Sequence, residues 1–166
     1  LFETGRTKLP ENITINNVKG YINQKVYGKY GMGGTNYAPV INAIVDEFAV
    51  KSGGFLGLGK TVTASQLEYQ VYVIFITDGE NSDKVEAERA IEKASEHGIF
   101  FQFIGIGNQS FNFLKKLDTM QGRKIDNANF FQVPDLGRKT DEELYSLLLQ
   151  EFPAFVREAR QKAMIK

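Results

Sequence analysis

The chain has 166 residues, with 20 Lys and Arg against 20 Asp and Glu, no Cys and one His. That charge balance argues against broad electrostatic binding to nucleic acid. The Cys and His counts exclude a disulfide scaffold, a Cys nucleophile, a Cys zinc site and any multi-His metal site. The length suits one domain spanning residues 1–166, able to bury roughly two-thirds of its unfolded surface. No apolar run approaches the ~18 residues of a membrane span. With no signal peptide, a cytoplasmic location is the default expectation.

Taken in chain order, Leu1-Phe2 reads as the end of a strand. Asn16 to Tyr27 is a weak helical stretch, and Gly28 to Gly34 is a Gly-rich loop. Between Thr35 and Lys51, the residues Val40, Ile41, Ile44, Val45 and Phe48 form one helical face, with Pro39 in the first turn. Ser52 to Gln70, including the Gly-rich stretch Gly53 to Gly59, reads as a long surface loop or hairpin insertion. Val71-Tyr-Val-Ile-Phe-Ile76 is an unbroken apolar run ending in Thr77-Asp78-Gly79, the pattern of a strand buried on both faces. Val85, Ala87, Ala90, Ile91 and Ala94 then recur at helical spacing, with Asp83 and Glu86 as a capping box and His97-Gly98 as the stop.

A second buried strand, Ile99 to Ile106, ends in Gly107-Asn108, and a third, Asn129 to Val133, is stopped by Pro134. Phe113, Leu114 and Leu117 predict a short helix between them. Thr140-Asp-Glu-Glu143 is a capping box opening a long amphipathic helix through Val156, which Pro153 should kink or interrupt. Alternating strands and helices predict a three-layer α/β/α sandwich with a mostly parallel sheet.

In an open parallel sheet, ligands bind beyond the carboxyl ends of the strands. Thr77-Asp78-Gly79-Glu80, Gly105-Ile-Gly107-Asn108 and Gly33-Gly34-Thr35-Asn36 all fall at that edge or in a loop before a helix. A carboxylate and a hydroxyl brought together there could hold a hard cation such as Mg²⁺, which prefers oxygen ligands and keeps several waters. The simpler reading is that Thr35 caps its helix and Asp78 opens a turn. Glu80 and Asp83 could pair for acid/base work, although exposed carboxylates at helix starts are far commoner. One His and no Cys, with no Ser elbow motif, rule out a nucleophilic triad.

Gly54-Phe-Leu-Gly-Leu-Gly59-Lys60-Thr61 matches the phosphate-loop pattern, in which Lys60 would reach the terminal phosphates and Asp78 would help to hold Mg²⁺. Such a loop must follow a strand and open a helix. Here Val40 to Val50 precedes it with helical spacing, and a short stretch rich in Thr and Ser follows. A nucleotide hydrolase using Gly54 to Thr61 is therefore the alternative reading.

Gly33-Gly-Thr-Asn36 before an amphipathic helix, Val73-Ile-Phe-Ile-Thr-Asp-Gly-Glu80 and Phe103-Ile-Gly-Ile-Gly107 together resemble a von Willebrand factor type A domain. The closer resemblance is to its bacterial tellurium-resistance and stress-response branch, carried by Thr77-Asp-Gly-Glu-Asn-Ser-Asp83 and the stretch from Phe101 to Pro134. The resemblance covers roughly Gly31 to Val156. It implies a metal-ion-dependent adhesion site built from an Asp-x-Ser-x-Ser motif, a Thr and an Asp. Thr35 matches the second element and Asp78 the third, while no Asp-x-Ser-x-Ser occurs in the chain.

Either the sequence begins inside the domain or the protein lacks the site. A parallel sheet without its central strand would leave unpaired edges, which favours the first. The function implied is cation-dependent protein binding rather than catalysis. Mg²⁺, Ca²⁺ or Mn²⁺ would be held in part by Thr35 and Asp78, with an acidic side chain of a protein partner completing the site. A metal-free scaffold with the same fold is the further alternative.

Overall fold

The computed structural model describes residues 7–9, 11–27, 29, 35–49, 67 and 69–166. Among them, three strands form a parallel sheet in the order β1 (Val71–Thr77), β2 (Ile99–Ile106) and β3 (Ala128–Val133). The helices are α1 (Ala38–Phe48), α2 (Lys84–Ala94), α3 (Asn112–Thr119), α4 (Asp141–Leu148) and α5 (Phe152–Gln161). Each strand is followed by a helix, so the expected α/β architecture is observed.

The central strand β2 is buried along almost its whole length, as its unbroken apolar sequence requires. Its register with β1 sets Phe75 beside Phe103 and Tyr72 beside Phe100. These two pairs point to opposite faces because side chains alternate along a strand. On one face the Phe75 ring meets Tyr37 at 4.9 Å and Phe103 at 5.1 Å, and Tyr37 reaches Phe113 of α3. On the other, Tyr72 meets Phe152 at 4.7 Å and Phe100 meets Phe155 at 5.1 Å, both partners lying on α5. Helices therefore pack on both faces of the sheet, leaving Ile74 and Ile76 of β1 half exposed, and the aromatic pairs each contribute about 0.5–1.5 kcal/mol beyond burial. Phe100, Phe101, Phe103, Phe111 and Phe113 are buried in the core, while Phe130 and Phe131 of β3 are half-buried.

Two polar groups also enter the core as a matched pair. The Gln102 amide donates to the Asn129 carbonyl, and the Asn129 side chain donates to Gln102 Oε1 at 3.1 Å. At the amino end of the sheet, the Leu67 N–H donates to the Met164 carbonyl, and the Lys166 N–H returns to the Leu67 carbonyl. The chain after α5 is thereby fastened next to the start of β1, against Gly98, whose φ of +66° suits glycine.

Three expectations need correction. Asn16 to Tyr27 forms turns and one five-residue π-helical turn, Ile22–Val26, rather than a regular helix. Tyr21 is buried, but Ile15, Val18, Ile22 and Tyr27 are exposed, so one packed side chain is all the segment has to sustain a longer helix. Strand β1 is not buried on both faces, because Ile74 and Ile76 are half exposed. The break expected near Pro153 is present, dividing the C-terminal helix into α4, opened by the Thr140–Glu143 capping box, and α5, with Pro153 in its first turn. The Asp83–Glu86 box does not form, because the Asp83 carboxylate turns away from α2 toward α1. Leu1-Phe2 and Gly53 to Gly59 lie outside the described residues, as does most of 52–70.

Gly105 in β2 faces Phe111, and a Cβ there would stand 2.9 Å from the ring. Both groups are fixed by the sheet and the core. Gly105→Ala should lower unfolding stability by about 1–3 kcal/mol, measurable by urea denaturation.

Candidate functional site

Beyond Thr77 the chain turns over the carboxyl end of β1 and enters α2 at Lys84. Tyr37, at the start of α1, is fully buried beneath this turn. Its phenol donates to the Gly79 carbonyl at 2.7 Å and lies 3.1 Å from the Thr77 hydroxyl. Burial pushes this phenol up to about 12, and the negative charges of Asp83, Glu80 and Asp78 push the same way against the Thr77 hydrogen bond.

The backbone is tied as firmly. Asp83 Oδ1 accepts the Tyr37 N–H at 2.9 Å, and Oδ2 accepts the Ala38 N–H at 2.7 Å. A helix start leaves such amides unpaired, and the side chain of the N-cap residue Tyr37 does not cap it. Asp83 supplies the cap from 45 residues away, with a carboxylate suited to the positive end of the helix dipole. The Ser82 N–H donates to the Thr35 carbonyl at 2.8 Å, and the Asn81 amide donates to Asp83 Oδ1 at 2.8 Å.

These bonds bring together the loops that carry the two candidate ligands. Thr35 is half-buried and its hydroxyl is not used to cap α1, while Asp78 is exposed at the turn. Glu80 and Asp83 are not an acid/base pair. Asp83 is committed to the α1 amides, and Glu80 lies 2.5 Å from Lys84, whose hydrogen bond holds it below the usual carboxylate range. Among the described residues, no group of three His, Cys, Asp or Glu is placed to hold a metal ion. The hydroxyl of Thr35 and the carboxylate of Asp78 are hard oxygen donors.

Sequence reasoning missed Asn81 and the part played by Asp83. An Asp one residue before a helix signals a cap for that helix, and only the tertiary structure shows that it serves another one. A second polar cluster was also invisible. The Arg123 side chain, 6% exposed, bonds to the Asp118 and Met120 carbonyls and to the Asp126 carboxylate. Burial raises both Asp118 and Glu151, with neighbouring carboxylates adding and Arg123 opposing. The arrangement anchors the loop between α3 and β3.

The phosphate-loop candidate Gly54 to Thr61, with Lys60, lies outside the described residues. Among the described residues, the nearest helix or strand before it is α1 and after it is β1, the reverse of the order a phosphate loop requires. His97 follows α2, half-buried, and burial lowers its affinity for a proton.

Residues 1–165 match the family described as vWA-TerF-like, the von Willebrand factor A domain found in the TerF C terminus. The chain belongs to this family. It is also 43% identical over 109 residues to the uncharacterized protein YcbR of Bacillus subtilis (strain 168), covering 66% of this chain and 44% of that relative. The chain thus spans less than half the length of the curated relative it matches. Neither description names an enzymatic activity. Among the described residues, no helix is long and apolar enough to cross a membrane.

Two outcomes follow for the clasp. Asp83→Ala should lower stability by about 1–3 kcal/mol, because two helix-start amides lose a charged acceptor; chemical denaturation measures it. Tyr37 stays protonated in the folded state above the pH at which it ionises when unfolded. Its contribution is therefore present below about pH 10 and lost as pH rises toward 12. Tyr37→Phe should flatten that alkaline decline in a pH-stability profile, while costing about 1 kcal/mol at neutral pH.

Proposed function

We propose that this chain is a divalent-cation-dependent protein-binding module of a tellurium-resistance or chemical-stress response system, not an enzyme. The observation that carries this reading is the fastening of the Asp78 loop to the Thr35 loop through Ser82, Asp83 and Tyr37. The two loops that carry these oxygen-bearing residues are thereby joined beyond the carboxyl end of β1, which supports the reading.

Asp78 would supply negative charge and Thr35 a neutral hydroxyl. When bound, Mg²⁺, Mn²⁺ or Ca²⁺ supplies a Lewis-acidic position that accepts a carboxylate oxygen. An acidic side chain of a protein partner suits that position, because few protein carboxylates crowd it. Asp83 and Glu80 are engaged with α1 and Lys84. The family's link to tellurium resistance supplies the setting. Direct capture of a soft metalloid is disfavoured, since the chain has no Cys and one His.

The lack of a three-residue metal cluster among the described residues favours a second reading, a metal-free scaffold with the same fold. Titrating Mg²⁺, Mn²⁺ and Ca²⁺ into the full-length protein and Asp78→Ala by calorimetry separates the two. Loss of binding in the variant is expected. Equal affinities would remove Asp78 from the site, and no binding to either protein would favour the scaffold.

A further inference from the structure

Of the eleven large apolar side chains that stand exposed among the described residues, five fall within residues 13–27. They are Ile13, Ile15, Val18, Ile22 and Tyr27, with Ile15 88% and Tyr27 79% exposed. Apolar groups scattered singly over a surface are ordinary, whereas a concentration of them marks a contact surface. The segment is bonded to itself, so these groups are presented by a folded excursion. The Val18 N–H donates to the Thr14 carbonyl at 2.9 Å, and the Tyr27 N–H to the Ile22 carbonyl at 2.7 Å. The Asn17 amide donates to the Asn12 carbonyl at 2.9 Å. Lys25 lies 3.4 Å from Glu11 and draws the two ends together. Tyr21, 3% exposed, is the one buried side chain of residues 11–27 and anchors the excursion.

The charge of this segment is one-sided. Lys19, Lys25 and Lys29 are exposed, and Glu11 is the only acidic residue between positions 11 and 29, in a chain whose net charge is zero. Positive charge interleaved with projecting aliphatic groups suits a surface that is both negative and apolar. We propose that residues 11–27, with Lys29, are a peripheral docking surface for an anionic lipid bilayer. A protein groove would have to match each projecting side chain, whereas the interface of a bilayer admits them in any arrangement. Ile13, Ile15, Val18 and Ile22 enter the boundary of the acyl chains, and Tyr27 sits at headgroup level. The lysines reach the lipid phosphates with their stems along the apolar layer. The backbone stays at the hydrated depth, because unpaired peptide groups are not tolerated in hydrocarbon. Among the described residues no helix can span a membrane, so the attachment is peripheral. It does not depend on the cation reading above.

The test is co-sedimentation of the full-length protein with vesicles, a chelator being present so that no divalent ion bridges protein and lipid. The vesicles are phosphatidylcholine alone or an equal mixture of phosphatidylcholine and phosphatidylglycerol. The wild type should bind the mixed vesicles, bind the neutral ones at least about fivefold more weakly, and come off as salt rises. The double variant Ile15→Ser, Ile22→Ser should bind at least about tenfold more weakly. The double variant Lys19→Gln, Lys29→Gln should lose about 10–30-fold at low salt, since each Lys near an anionic leaflet is worth about fivefold. All four side chains are exposed, so both variants should fold as the wild type does, which circular dichroism checks. No binding of the wild type to mixed vesicles would overturn the proposal and leave an acidic protein surface as the occupant. Undiminished binding in either double variant would overturn the assignment to this segment. A wild-type dimer in sedimentation velocity without lipid, lost in the Ile variant, would overturn it in favour of a second copy.

Discussion

The Asp83 carboxylate holds two elements that the chain separates widely. By accepting the Tyr37 and Ala38 amides, it joins the loop after β1 to the first turn of α1. The same residues place Tyr37 under that loop, where its ring packs on Phe75 and its hydroxyl reaches Gly79. Sheet, helix and loop therefore share one hydrogen-bonded and aromatic junction. Without it, Thr35 and Asp78 would lie on independent loops, and ordering both would cost conformational entropy at the moment of binding.

The polar atoms near this junction have distinct uses. Asp83 accepts three amide hydrogens and Glu80 is paired with Lys84, so both carboxylates are already engaged. Asp78 is exposed and Thr35 half-buried, which gives the edge one accessible carboxylate and one hydroxyl. Asn81 adds an oxygen with no partner. A charge-balanced chain without Cys has little else to offer a soft ligand, and the hard-donor edge is the consistent candidate.

The sheet was readable because parallel strands leave continuous apolar runs; Ile99 to Ile106 is buried as such a run implies, whereas Val71 to Ile76 overstated its burial, since Ile74 and Ile76 are half exposed. Pro153 and the Thr140 box marked the ends of α4 and α5 for the local reasons that make caps legible. Thr35 and Asp78 could be singled out because loops at the carboxyl edge are where open sheets bind ligands. Asp83 was misread because its local context matches a cap for α2, and the preference for α1 depends on how the two helices pack. The Asn16 to Tyr27 segment failed for the opposite reason. Apart from Tyr21 its apolar residues stay mostly exposed, so too little packing was available to hold a regular helix.

The junction's claim to be preformed is tested most directly by amide hydrogen exchange at Tyr37 and Ala38 in the metal-free protein. Both amides should exchange as slowly as those of β2 in the wild type and much faster in Asp83→Ala. Rapid exchange at both positions in the metal-free wild type would contradict a preorganised edge.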